Sequence, residues 1–358
     1  MLETAWSFLL QTAVVFVVST TLFDGLHYLL HRWRHSRFAL LRTFSSWHQV
    51  HHDFLDKQMQ VHPELKWTNI WAHLLPEYLT SILGTLVCLI LFDVWPVLAI
   101  CALHTVLFVI RIWTEGLDTH HMSMDRVPGK RNGLFVTPAY HALHHVHPLA
   151  FYSSFLNVFD MIFGTAIELR GKRVTITGAT GALGRELADR LERLGARVTR
   201  VGRDLAVDFA DTDILVLAHG SRGPDAVNAN VDTFIRLGDE MIEAGRARLV
   251  PPEIWGVGSE AEILGFDQYA TTKRAFADYA AAMWWTSPDV TYRHVVPAAF
   301  ASKMGWGPMT AGFAAAWTLF LIRRGFMYVP VTWSGLALLN WFRFMLAARQ
   351  HPVRALVR

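Results

Sequence analysis

A chain of 358 residues exceeds what one hydrophobic core usually holds, so two domains are expected. Hydrophobic residues make up 52% of it and the mean hydropathy is +0.26, high for a soluble protein. The two cysteines, Cys88 and Cys101, lie in apolar runs, which excludes a disulfide framework and a cysteine metal site, and a net charge of +3 gives no ground for a nucleic-acid partner.

Ala5 to Leu30 is almost unbroken apolar sequence, long enough to cross a bilayer. No Lys or Arg precedes it and no small-residue cleavage site follows, so a span is expected rather than a signal peptide. Two more apolar runs, Ile70–Phe92 and Trp95–Trp113, predict a transmembrane hairpin. Trp67, Trp71, Trp95 and Trp113 sit near the span ends, where indoles favour the interface. Arg32, Arg34, Arg37 and Arg42 follow the first span, and Arg126, Lys130 and Arg131 follow the third. The positive-inside rule then places both flanking segments and everything after them in the cytosol.

Of 18 histidines, 15 precede Ala150. His27 and His31 (HxxxH) stand one helical turn apart at the cytosolic end of the first span. His48, His51 and His52 repeat the theme as HxxHH, and so do His141, His144 and His145. Neutral imidazole is a ready ligand for iron, zinc or copper, and eight such groups suffice for two ions. His120 and His121 are candidates to complete the shell. One HxxxH alone is as easily a solvated helix face. Three boxes in this order behind a membrane hairpin are not. The lone His62, His73, His104 and His147 are read as packing, interfacial or supporting groups.

This arrangement resembles the fatty acid hydroxylase/sterol desaturase superfamily. The stretch from Thr137 to His145 and the stretch from Asp160 to Thr165 also resemble plant wax-biosynthesis aldehyde decarbonylases of that superfamily. The resemblance implies two iron ions, O2 and a lipid substrate, with zinc able to occupy such a site in a purified sample. It prefers His120 over His121 as the extra ligand. No cytochrome b5-like segment is fused on, so the resemblance implies an external electron donor of ferredoxin or cytochrome b5 type.

From Arg173 the pattern changes to strand, glycine turn and helix. Arg173 to Thr177 reads as a buried strand, Gly178, Gly181 and Gly184 as a phosphate-cradling turn, and Arg185 to Leu194 as a helix whose N-terminus faces the pyrophosphate. The second strand ends in Gly202-Arg203, with a guanidinium where NAD-dependent proteins carry an acid, so NADP(H) is expected rather than NAD(H). Asp208, after a short third strand, is placed near the adenine. Tyr269 and Lys273 form a YxxxK on a predicted helix, where the ammonium would depress the phenol's pKa. Ser259 at a strand end would hold a substrate carbonyl, and Asn230 would anchor a relay water. Together these residues resemble the short-chain dehydrogenase/reductase family over about Gly171 to Met304. The Ser259–Tyr269 gap is tighter than usual there, and Pro297-Ala298 replaces a Pro-Gly.

The expected architecture is an all-α transmembrane histidine-box domain (1–168), an α/β Rossmann-type doubly wound domain (169–305) and an amphipathic membrane-surface tail (306–358). The whole resembles bacterial proteins that join a sterol desaturase-like domain to a short-chain dehydrogenase. It implies hydroxylation or desaturation of a lipid coupled to alcohol/carbonyl interconversion. Hydrocarbon-forming aldehyde cleavage and a non-catalytic role for one module are the alternatives.

Overall fold

A computed structural model describes residues 2–129, 133–202 and 206–350. Two compact units emerge. One comprises the chain up to Val127 together with Gly133–Ala166. The other runs from Ile167 onward and includes the short segment that begins at Pro128.

The first unit is helical. Helices α1 (Leu2–Trp33), α2 (Ala39–Phe54), α3 (the helical run Pro63–Ile90) and α4 (Val94–Trp113) come first, then the short α5 (Pro138–Val146) and α6 (Val158–Phe163). Helices α1, α3 and α4 have the length and apolar composition to cross a membrane. They pack on one another around Val15, Cys88, Val97 and Ile100, yet leave Leu9, Leu10, Leu83, Ile90 and Trp95 exposed. A helix apolar on all sides suits lipid rather than water. The α3 run contains a π turn, Ile70–Leu74, that carries His73. In α2 the buried face is histidine-bearing: Ser45, His48, His51, His52 and Phe54. Helix α5 starts where Thr137 Oγ1 accepts from the Tyr140 amide at 3.2 Å, with Pro138 in the first turn, where its missing N–H is harmless.

The second unit is a six-stranded, all-parallel sheet in the order β2-β1-β3-β4-β5-β6. Its strands are β1 (Arg173–Thr177), β2 (Arg197–Val201), β3 (Ile214–Leu217), β4 (Glu253–Val257), β5 (Thr291–Pro297) and β6 (Tyr328–Val331). One face is covered by α7 (Ala182–Arg193) and α11 (Ala311–Arg323). The other carries α8 (Thr233–Gly245), α10 (Gln268–Thr286) and α12 (Leu336–Gln350), with the one-turn α9 (Ala261–Leu264) before α10. Both faces are covered, so β3 and β5 are buried along their whole length rather than alternating. Leu187 and Leu191 of α7 are fully buried against the sheet, each stabilising by about 1.5–3 kcal/mol.

The described residues 206–208 form no strand, and residues 203–205, on which the expected third strand also falls, lie outside the described residues. One expectation is corrected. The described residues of 306–358 are not a separate tail. Ala314, Ala315, Leu319 and Ile322 join the core under α7, β6 extends the sheet, and Ala337 and Phe344 pack under α10. What misleads the sequence reading is the other side of these helices, which is equally apolar. Phe313, Trp317 and Phe320 of α11, and Leu338, Leu339, Trp341, Phe342 and Leu346 of α12, are exposed.

Candidate metal centre and nucleotide crevice

Helices α1, α2 and α5 bring their histidines together as two groups. One is His27, His31, His48, His52 and His144, the other His51, His121, His141 and His145. Within each group the ligand atoms lie within 4.8 Å of one another. In the first group His144 Nε2 is 2.9 Å from His27 Nε2 and 3.2 Å from His31 Nε2. His48 Nε2 is 2.9 Å from His31 Nε2, and His52 Nε2 is 3.3 Å from both. In the second, His141 Nε2 is 3.0 Å from His121 Nε2 and 3.2 Å from His145 Nε2.

The expected ninth ligand is corrected. His121, not His120, enters the second group. The His120 Nδ1 lies 3.2 Å from Thr119 Oγ1, and its buried Nε2 has no hydrogen-bond partner. Both stand beside the carboxylate of Asp118, which accepts both backbone amides and the His121 Nδ1 at 2.9 Å, turning that ring inward. Sequence spacing cannot separate two adjacent histidines in a loop. The signal was the Asp three residues before His121.

The far nitrogens show how the rings are aimed. His27 Nδ1 is 3.0 Å from the Tyr152 carbonyl, His144 Nδ1 is 2.8 Å from that of Ala150, and His145 Nδ1 is 2.7 Å from that of Leu55. A carbonyl only accepts, so each Nδ1 carries the proton and each Nε2 presents its lone pair to the group. The loop carrying two of these carbonyls is held by buried Asp160. Its carboxylate accepts from Tyr140 Oη at 2.6 Å, from the Tyr152 and Ser153 amides, and from Thr165 Oγ1. Phe151, between the two carbonyls, holds φ 62°, a left-handed conformation a bulky residue adopts only under constraint. A second network crosses the spans. Asp118 pairs with Arg111 of α4 at 3.5 Å and Arg111 with Glu77 of α3 at 2.6 Å. Glu77 meets His73 at 3.3 Å, and the His73 ring stacks on His51 at 4.0 Å.

Burial holds His48, His51, His52, His141, His144 and His145 well below the ordinary imidazole range, with neighbouring imidazoles adding to it. They are neutral at any physiological pH, the form in which an imidazole can ligate a metal. Burial opposes the ionisation of Asp118, but the His121 hydrogen bond and the Arg111 charge keep it below the usual carboxylate range. The His27 and His144 Nε2 lone pairs, facing each other at 2.9 Å, repel unless a cation lies between them. Nitrogens about 2.0–2.1 Å from one ion stand roughly 3.0–3.4 Å apart, so the donor set fits a metal.

In the second unit β1 and β3 are neighbours from which the chain departs in opposite directions, the switch point where nucleotides bind. Gly178 (φ +68°) ends β1 there. A Cβ on it would stand 2.6 Å from the His219 backbone, and one on Gly184 would stand 2.4 Å from the Gly178 carbonyl. Only glycine lets the turn press onto both the β3 loop and α7. Gly181 caps α7, and Thr177 Oγ1 lies 2.6 Å from His219 Nδ1 beneath the turn. The buried His219 Nε2 has no partner. Arg203 lies outside the described residues. Asp208 lies in a loop, where its carboxylate accepts from the Asp211 amide at 3.0 Å.

Ser259 follows β4, and Tyr269 and Lys273 lie on α10. Burial raises the Tyr269 phenol above its ordinary value, against the nearby Ser259 hydroxyl and the Arg222 charge. The expected depression by Lys273 is corrected. Its Nζ donates to the Val257 carbonyl at 2.9 Å and stands 5.9 Å from the Tyr269 ring, whereas the Arg222 guanidinium is 4.7 Å from it. Burial lowers Lys273 itself to about 8. Asn230, in a π turn before α8, bonds the Ser221 amide and carbonyl and Thr272 Oγ1, so its side chain braces the β3 loop. The sequence reading missed Glu262, which is fully buried. Its carboxylate accepts from the Ser259 amide at 2.8 Å and Asn340 Nδ2 at 2.7 Å, and faces His294 Nε2 at 3.3 Å.

Comparison with known proteins agrees with this division. Residues 16–165 match the family model described as Fatty acid hydroxylase, so the first unit carries a fatty acid hydroxylase domain. The chain is an oxidoreductase of two modules, the second built on the six-stranded parallel sheet described above. It is 26% identical over 368 aligned positions to monoglucosyldiacylglycerol epimerase of Synechocystis sp., covering 86% of this chain and 88% of that protein. Among solved structures it is similar to a short chain dehydrogenase from Burkholderia cenocepacia J2315 in complex with NADP (19% identity, TM-score 0.41, 51% of this chain and 99% of that one). It is also similar to 3-ketoacyl-(acyl-carrier-protein) reductase from Brucella melitensis with NADH (18% identity, TM-score 0.37, 46% and 97%).

Proposed function

We propose that the chain is a bifunctional membrane enzyme that oxidises a lipid at a di-iron centre and interconverts an alcohol and a carbonyl with NADP(H) at the second unit. The observation that carries it is the convergence of nine imidazoles into two groups. Iron held by His27, His31, His48, His52 and His144, and by His51, His121, His141 and His145, would supply O2-dependent C–H oxidation (R–H + O2 + 2 e⁻ + 2 H⁺ → R–OH + H2O), with the electrons from an external one-electron donor. The carbonyls of Ala150, Tyr152 and Leu55 hold the ligands in one tautomer, and Asp118 aims His121. At the second unit NADP(H) supplies or accepts hydride. The Ser259 hydroxyl would hold the substrate oxygen, the Tyr269 hydroxyl would give its proton in reduction and its phenolate take one in oxidation, and Lys273 would hold the nicotinamide ribose. The arginine-rich flanks support a cytosolic position for both sites. The apolar outer faces of α11 and α12 support contact of the second unit with the membrane surface.

A second reading is favoured by the relative that acts, by its name, on a glucolipid. Here the second unit inverts one head-group carbinol. Bound NADP⁺ would be the hydride acceptor and the Tyr269 phenolate would take the alcohol proton; proton and hydride would then return, the hydride to the opposite face of the carbonyl, so no net oxidant is consumed. Incubating the purified chain with monoglucosyldiacylglycerol, with and without O2, separates the two. O2 uptake with an oxygenated lipid supports the first, anaerobic inversion of the sugar supports the second, and no change in either lipid or O2 contradicts both.

A further inference from the structure

The first histidine group opens onto a cavity of about 830 Å³ whose walls are unlike an acyl-chain tunnel. His31, His48 and His52 form its floor. The walls are Arg32, Arg34, Gln49, Asp53, Asp56 and Lys57, with His35, Ser45 and Gln58 between them. Leu30, Pro148 and Leu149 are the wholly apolar side chains, and with the methylene stems of the longer ones they make the exposed lining amphipathic rather than purely polar. Three cations face two carboxylates, so the net field is weak. Gln49 Nε2 donates to Asp53 Oδ1 at 3.0 Å, and Asp56 takes the Gln58 and Gln60 amides. Among the described residues Arg34 and Lys57 form no ion pair. A methylene chain in this space would strip water from charges and return no hydrogen bond. A polyhydroxylated group offers donors and acceptors to both kinds of wall. Position agrees: the cavity lies at the end of α1, beside the arginines expected to mark the membrane interface.

We propose that this cavity is a head-group site: a neutral, sugar-like lipid head group, not the acyl tail, meets His31, His48 and His52. The inference rests on the metal reading of the histidine groups and names the substrate class that site takes. Asp53 and Gln49 are its specificity determinants.

The test uses the full chain in lipid nanodiscs, loaded with Co²⁺ in place of iron and titrated separately with octyl β-glucoside, 1-octanol and octanoate. The expected result is a saturable change in the cobalt visible spectrum with octyl glucoside alone. A Gln49→Ala/Asp53→Ala variant should raise its half-saturation at least tenfold with cobalt content unchanged. Saturation-transfer NMR on metal-free protein should mark the sugar protons rather than the chain, and lose them in the variant. An equal or larger response to octanol or octanoate, or no octyl glucoside response by either method, overturns the inference. Failure to take up cobalt while sugar contact persists in the NMR defeats the metal reading instead, leaving the head-group cavity standing.

Discussion

His121 sits 3.0 Å from His141 because Asp118 holds its other nitrogen, whereas His120 is turned toward Thr119. His121→Ala should therefore lower bound metal from two ions to about one per chain, and His120→Ala should leave it unchanged, as elemental analysis of the purified protein would show. Glu262 makes the same kind of point in the second unit. Its removal leaves the Ser259 amide, Asn340 and His294 without a buried acceptor. Glu262→Ala should cost about 3–5 kcal/mol, and the isosteric Glu262→Gln less, read from thermal unfolding of the two variants. Lys273 titrates near 8 when folded and about 10.4 when unfolded, so between these values the unfolded chain binds the extra proton and stability rises with pH. The rise is about 1.4 kcal/mol per pH unit from this residue, and Lys273→Met should abolish that part of the slope. The clustering of the box histidines was legible because HxxxH and HxxHH are helical spacings. Asp118, Asp160 and Glu262 were not, because a carboxylate's partners are set by loops that no periodicity encodes.

At the scale of elements, α2 and α12 are inverted relative to an ordinary surface helix. Helix α2 buries imidazoles, and α12 buries Asn340 while exposing leucine, tryptophan and phenylalanine. The three spans were readable from length and hydropathy alone. The packing of α11 and α12 was not, since a helix apolar on two faces gives the same pattern whether one face meets a sheet or neither does. The Arg111 guanidinium ties α4 to α3 through Glu77 and to the His121 loop through Asp118. Arg111→Met leaves two carboxylates facing each other near the second group. Its metal should then be released to a chelator at least tenfold faster than that of the first group, whereas Arg111→Lys should fall between. Biphasic release in stopped-flow chelation would display this.

At the scale of the whole molecule, the two units hold separate chemistries in one chain, each with its own core. Stripping the metal should leave NADPH binding by the second unit within about twofold of the untreated protein, measured by nucleotide fluorescence. Substituting Gly178→Ala, which drives a methyl into the His219 backbone, should weaken NADPH at least tenfold without changing metal content. The claim on which the rest depends is that the converging imidazoles hold two redox metals. Iron quantitation combined with X-ray absorption at the iron edge tests it most directly. The prediction is two irons per chain with nitrogen ligands at about 2.1 Å and several histidine rings per iron. A protein that stays active yet holds less than one iron per chain, or whose iron shows no imidazole scattering, would contradict it.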